Sequence, residues 1–335
     1  MSEQFHTNPP ERYAILDERN ARSRYMLDIN RPFNVHMSVY DAGAKRLMFN
    51  VFDEGYDEEM TRAAKAANRI GRFILAGNMS TATDPEGEPY GPKDLAPEDR
   101  LQNARDNMNK YLGSLDVDPA NVRVLHPDRD YTTPLRVVNV DTDPAKYDGQ
   151  EPAKLVGVGD MIYTYDPDIV FGVRPADCPL LVLSAETPKG RIYTMVHFAW
   201  QGVAANQIAD LARELATLEV DLSTATGYLT PGGHAETFPF QNAPQNPHEK
   251  YPDTKGIFKD VTSHLKGEEV KYNFTIDTPS FLYDELLGLG LEADQIFVDT
   301  SDTTAPESGY ASHSRASRLD GDNGRDFVVV KLHQH

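Results

Sequence analysis

Between residues 161 and 198 the chain is a succession of short, almost unbroken apolar runs, at 161–165, 169–174, 180–184 and 191–198. Runs that do not alternate with polar residues suit strands of a sheet covered on both faces. Further strands are expected at 122–125, 135–140, 225–229, 270–276, 295–299 and 326–332, and residues 32–53 alternate around Asp41-Ala-Gly43 as a hairpin would. Helical spacing appears in four places. Residues 58–75 are Ala-rich and predict about four turns. Residues 98–115 and 279–289 each read as a helix, and 203–218 carry Ile208, Leu211, Leu215 and Leu218 three and four apart, one amphipathic helix. Residues 81–97 and 241–253 are rich in Pro, Gly, Asn and acids and read as loops. The strands and helices follow no simple repeat, so the expected class is α+β, with mixed sheets and outer helices. Residues 1–31 read as an N-terminal extension without a motif, ahead of a single domain at 32–335.

Composition narrows the partners. With 39% hydrophobic and 25% charged residues the chain is globular, and no apolar run reaches the eighteen residues that a membrane span needs. The first ten residues lack the basic and apolar regions of a secretory signal, and a single cysteine cannot staple a secreted fold, so a reducing cytoplasm is expected. A net charge of −19 argues against a nucleic-acid partner, which needs clustered Lys and Arg.

That single cysteine is the natural place to look for chemistry. Cys178 lies in Arg174-Pro-Ala-Asp-Cys-Pro179, between two strand-like runs, and His197 follows nineteen residues later at the end of the second. If the strand ends share a cleft, a thiol and an imidazole converge there. His126, at the end of the 122–125 run, is the candidate third donor for a three-ligand zinc site with an open position. Two other readings compete for the same atoms: a nucleophilic thiol activated by His197, and a buried structural cysteine beside two loop histidines. Asp177 is placed to orient a histidine or to cap a turn, and Asp160 to close a turn or touch the site. Trp200 suits base stacking or the core, and His234 and His313 suit acid/base work or plain exposure.

Three segments together carry a family resemblance. Gly157-Val-Gly-Asp160-Met-Ile-Tyr-Thr164, Arg174-Pro-Ala-Asp-Cys-Pro-Leu-Leu-Val-Leu183 and Val196-His-Phe-Ala-Trp-Gln-Gly-Val-Ala-Ala205 resemble, in order and separation, the signatures of the laccase-domain family. These are the multicopper polyphenol oxidase proteins later described as purine nucleoside phosphorylases. Val124-Leu-His126-Pro-Asp is similar to the family's first histidine motif, Ser312-His-Ser-Arg315 with Gly324-Arg325 to its C-terminal motif, and Asn50 to its early asparagine. The likeness covers about 33–335, with an insertion at about 54–98.

The resemblance implies the fold shared with cytotoxic necrotising factor-like cysteine hydrolases. It also implies zinc on His126, Cys178 and His197, with copper as the other metal that His and Cys accept. The implied reaction is phosphorolysis of adenosine, inosine, guanosine or methylthioadenosine, together with adenosine deamination, so the implied partners are a purine nucleoside and phosphate. Asn50, Gln201, Arg315 and Arg325 would touch the substrate, and Cys178, His197 and Asp177 would serve catalysis. The chain departs from the pattern at Pro127, Ala199 and Gln201, and the Cys-Thr pair before the terminal loop is missing. Gln201 stands where the family has an arginine able to pair with phosphate. Two alternatives from the same resemblance are a cysteine-dependent amide hydrolase using Cys178 and His197, and a copper-dependent polyphenol oxidase. The second finds only one His-x-His pair, His333-Gln-His335. A binding module without catalysis is the non-enzymatic alternative.

Overall fold

In the run 180–185, alternate side chains enter two different cores: Leu180 and Val182 one, Leu181, Leu183 and Ala185 the other. A strand with apolar side chains on both faces must be covered on both, and the architecture follows from that requirement. The computed structural model describes residues 9–27, 33–37, 39–41, 46–48, 95–127, 135–142, 153–234, 258–260, 274–305, 310–314 and 325–332. In chain order the elements are α1 (Pro9–Asn20), α2 (Arg24–Leu27), β1 (Phe33–Met37), β2 (Val39–Asp41), β3 (Arg46–Met48), α3 (Pro97–Ser114), β4 (Val122–His126), β5 (Val137–Asn139), β6 (Lys154–Val158), β7 (Met161–Thr164), β8 (Val170–Val173), β9 (Leu180–Thr187) and β10 (Gly190–His197). They continue with α4 (Trp200–Ala204), α5 (Gln207–Thr217), β11 (Asp221–Leu229), β12 (Phe258–Asp260), β13 (Phe274–Ile276), α6 (Thr278–Gly288), β14 (Ile296–Val298) and β15 (Val328–Leu332).

Two mixed sheets carry the fold, one ordered β1-β15-β8-β4-β6 and the other β14-β11-β9-β10-β7-β5. The first combines antiparallel β1, β15 and β8 with parallel β8, β4 and β6, and the second is antiparallel through β11, β9, β10 and β7 with parallel strands at both edges. Their facing sides share a core of Phe33, Val35, Phe171, Val173, Met195, Tyr228, Val328 and Val330. Behind the first sheet, Val122, Val124, Phe327 and Val329 pack with Met108, Tyr111 and Leu112 of α3. Behind the second, Leu181, Leu183, Val196 and Val298 pack with Ile208, Leu211 and Leu215 of α5, Leu282 and Leu286 of α6, and Leu16 of α1. The result is an α/β/β/α stack, the expected α+β class.

Several elements differ in detail from the pattern reading. The expected helix at 203–218 is two, because Asn206 adopts a left-handed conformation (φ 67°) between α4 and α5. β1 pairs with β15 from the other end of the chain, not within a local hairpin; the hairpin of this region is β2 with β3. The expected helix at 58–75 lies outside the described residues. Residues 9–27 are built into the stack: Leu16 and Tyr25 are buried, and the Asn20 carboxamide bonds both the N–H and the C=O of Val298 on β14. Among the described residues no helix is long and apolar enough to cross a membrane.

Candidate active site

Between β6 and β9 the chain crosses from the first sheet to the second twice, and Asp160 and Cys178 lie on those crossings. The first runs from β6 to β7 through Gly159 and Asp160, and the second from β8 to β9 through residues 174–179. At the first, Gly159 donates its N–H to the His126 carbonyl (2.9 Å), which ties the end of β4 to the crossing, and the Asp160 carbonyl accepts the His197 N–H (2.7 Å). His126 and His197 come from different sheets, and only one two-residue link separates their backbone partners.

The hairpin of β9 and β10 explains the spacing of Cys178 and His197. Its register pairs Leu180 with His197, so Cys178, two residues before Leu180, emerges at the open end of the hairpin beside His197. The register of β10 on β7 pairs Val196 with Met161, so Asp160 is the cross-strand neighbour of His197 one step further on. His197 is buried, and its Nδ1 lies 3.1 Å from Asp160 Oδ1. The register of β9 on β10 leaves the half-buried Cys178 close enough to act on the ring. Burial alone would lower the imidazole pKa, but hydrogen bonds to Asp160 and Cys178 and the charge of both outweigh it, and the group is pushed up to about 9. Thiol, imidazole and carboxylate thus gather at one end of the β9–β10 hairpin.

His126, half-buried at the end of β4, has a different neighbour. The parallel register sets Leu125 beside Val173, which brings Arg174 beside His126. Arg174 is buried, and one guanidinium nitrogen lies 3.2 Å from both ring nitrogens of His126. An atom equally close to both nitrogens lies on the axis of neither lone pair, so the contact is that of a cation against the ring. Cys178 and His197 are therefore brought together, while His126 ends a strand of the other sheet and is tied through Gly159 to the crossing that carries Asp160. Among the described residues no three His, Cys, Asp or Glu side chains are grouped around a common point. The donor types remain those zinc takes, two imidazoles and a thiol, and one of the imidazoles already carries the carboxylate that typically orients a ligand histidine.

Asp177 does other work. It adopts a left-handed conformation (φ 68°), which Asp tolerates better than most residues, and its carbonyl accepts the Gly233 N–H (3.0 Å). Its buried carboxylate accepts from the Thr303 hydroxyl (2.9 Å) and the Ser314 N–H (2.8 Å), and from Ser312 as well. Burial raises its pKa against those bonds. The carboxylate that contacts the site imidazole is Asp160, while Asp177 holds the loops 303–305 and 312–314 against the cysteine turn. The signal for Asp160 was present: an acid directly before a strand, in one of the three family-like segments.

The remaining candidates spread around this centre. Gln201 and Trp200 are half-buried in α4, which starts two residues after Phe198, and Trp200 packs against the core behind the second sheet. His234 stacks face to face on Tyr13 of α1, ring centroids 3.8 Å apart, and its N–H lies 3.4 Å from Asp302. His313 is exposed between buried Ser312 and Ser314, and Arg325 is half-buried ahead of β15. Asn50 and Arg315 lie outside the described residues.

A family model described as multi-copper polyphenol oxidoreductase laccase matches residues 89–333. Among solved structures, the hypothetical protein YfiH of Bacillus licheniformis is similar with a TM-score of 0.53 at 17% identity, over 76% of this chain and 90% of that one. YlmD from Geobacillus stearothermophilus gives 0.54 at 17% identity, over 70% of this chain and 82% of that one. Protein NMB0706 of Neisseria meningitidis gives 0.51 at 17%, over 79% of this chain and 89% of that one. At such identity the likeness speaks for the fold alone. No curated protein matches the sequence. The family model spans well over half of the chain, and it includes both sheet crossings, His126, Cys178 and His197: the chain belongs to the multi-copper polyphenol oxidoreductase laccase family.

Proposed function

We propose that this chain is a zinc-dependent purine nucleoside phosphorylase, with His126, Cys178 and His197 as the residues that hold the metal. The observation that supports the reading is the hairpin register that brings Cys178 to the strand end of His197, whose Nδ1 lies 3.1 Å from Asp160. A thiol and a carboxylate-oriented imidazole form a metal half-site, and His126, tied through Gly159 to the crossing that carries Asp160, would be the third donor. The bound metal would supply a Lewis acid or an activated water at neutral pH. The chain's own residues do the rest. Asp160 fixes the ring orientation of His197. Asp177 keeps the loop containing Ser312 and Ser314 against the cysteine turn. Arg325, together with Arg315 of the C-terminal motif, would supply cations for phosphate, a task that Gln201 cannot perform as a neutral amide. Asn50 and Gln201 would contact the nucleoside, and adenosine deamination is a second reaction suited to the same pocket. Copper is the competing metal for the same donors.

The same three groups favour a second reading, cysteine-dependent amide hydrolysis, in which Cys178 attacks, His197 takes the proton and Asp160 orients the imidazole. Incubation of the purified protein with inosine or adenosine, with and without phosphate, separates the two. Phosphorolysis predicts free base and ribose 1-phosphate only when phosphate is present, and loss of both in His126→Ala. An amide hydrolase predicts no release of base from either nucleoside, with or without phosphate, in the wild type and in His126→Ala alike.

A further inference from the structure

Gln207, the first residue of α5, is 5% exposed and donates from Nε2 to the main-chain carbonyl of His197 at 2.8 Å. A carbonyl oxygen only accepts, so this bond fixes which end of the carboxamide is nitrogen and leaves Oε1 as an acceptor. That oxygen is buried and has no hydrogen-bond partner among the described residues. The two carboxamide heteroatoms are about 2.2 Å apart, so the acceptor lies within about 5 Å of the His197 carbonyl. Buried acceptors are rarely left unmatched, because an unpaired one loses its water without gaining a partner. An apolar side chain of similar length at 207 would avoid the loss. The chain on either side is apolar core, with Val203 and Ile208 both buried.

We propose that Gln207 is a base-recognition residue of this site, its Oε1 accepting a hydrogen bond from an N–H on the edge of a purine held beside His197. The proposal rests on the phosphorylase reading and deepens it. An acceptor facing an N–H discriminates strongly, because an analogue lacking that hydrogen leaves the buried oxygen unmatched.

The test is calorimetric titration, in phosphate-free buffer, of the protein as purified with inosine and with 1-methylinosine, whose base has lost its one N–H. The wild type is expected to prefer inosine by about tenfold or more, and Gln207→Met to reduce that preference to near unity. Gln207→Leu, which likewise lacks the acceptor, should do the same. Thermal melting of each variant shows that it is folded, and the wild-type comparison stands without either. Equal binding of the two nucleosides by the wild type, or an undiminished preference in Gln207→Met, overturns the proposal while leaving the phosphorylase reading intact. Failure of the wild type to bind either nucleoside is a different result, because it removes the substrate class and this proposal with it.

Discussion

Asp160 and His197 face each other one step beyond the Val196–Met161 pair of antiparallel β10 and β7, linked by a main-chain bond of 2.7 Å and a side-chain contact of 3.1 Å. This double link is what orients the imidazole toward Cys178. It also carries a pH signature. The folded-state pKa of His197 is raised, from an ordinary 6.5 to about 9, so protonation favours the folded state. In protein stripped of metal, the stabilisation is complete below about pH 6.5 and is lost as pH rises through about 9. Urea unfolding across that range should show the decline in the wild type and a flatter profile in Asp160→Asn. An identical slope in both would mean that another group controls it. Zinc requires the neutral ring, so its addition should release protons and suppress the decline.

Asp177 separates a scaffolding role from a catalytic one. Its carboxylate accepts from Thr303 and Ser314, and its backbone is left-handed. Asp177→Ala removes the acceptor and strains the turn, and should cost about 2–4 kcal/mol. Asp177→Asn keeps one acceptor and tolerates the backbone, so its melting temperature should fall between those of the alanine variant and the wild type. Two variants with equal melting temperatures would deny the carboxylate its anchoring role.

Gly232 is the steric counterpart. A Cβ there would lie 2.8 Å from Pro279 Cγ, 3.0 Å from Pro179 Cδ and 3.3 Å from the Asp177 carbonyl, and neither proline ring can swing away. Gly232→Ala should destabilise by about 1–3 kcal/mol and displace the cysteine turn, so that labelling of Cys178 by a thiol reagent changes in rate. Unchanged melting and labelling would show that the loop has room to give.

Much of this site was legible before the fold was known, and the limits are physical. The runs 161–165, 180–184 and 191–198 reported their own strands because both faces of each meet a core. The pairing of Cys178 with His197 was legible because a hairpin brings residues nineteen apart together locally. The crossing from β6 to β7 was not, because Lys154–Val158 is largely exposed at its end and carries little apolar signal. Without that strand, Asp160 is expected either to close a turn or to touch the site, and Asp177 either to orient a histidine or to cap a turn. The Arg174–His126 contact depends on parallel strands 48 positions apart in the chain, which local pattern cannot register.

The N-terminal segment read as an extension because α1 has few apolar residues, yet Leu16 joins the core and Asn20 bonds β14 through both ends of its carboxamide. Asn20→Ala strands two main-chain groups of Val298 and should cost about 1–3 kcal/mol by urea denaturation. Deletion of residues 1–27 should leave little folded protein, although the family match begins only at residue 89. A deletion variant with wild-type melting behaviour would make the segment a true appendage.

The most direct measurement is the metal content of untagged protein by mass spectrometry of its elements, compared with His126→Ala and Cys178→Ser. The account predicts about one zinc per chain in the wild type and a large loss in each variant, because a three-ligand site deprived of one donor binds poorly. Wild-type protein that contains no metal yet cleaves inosine with phosphate, or a His126→Ala variant that keeps its zinc, would contradict it.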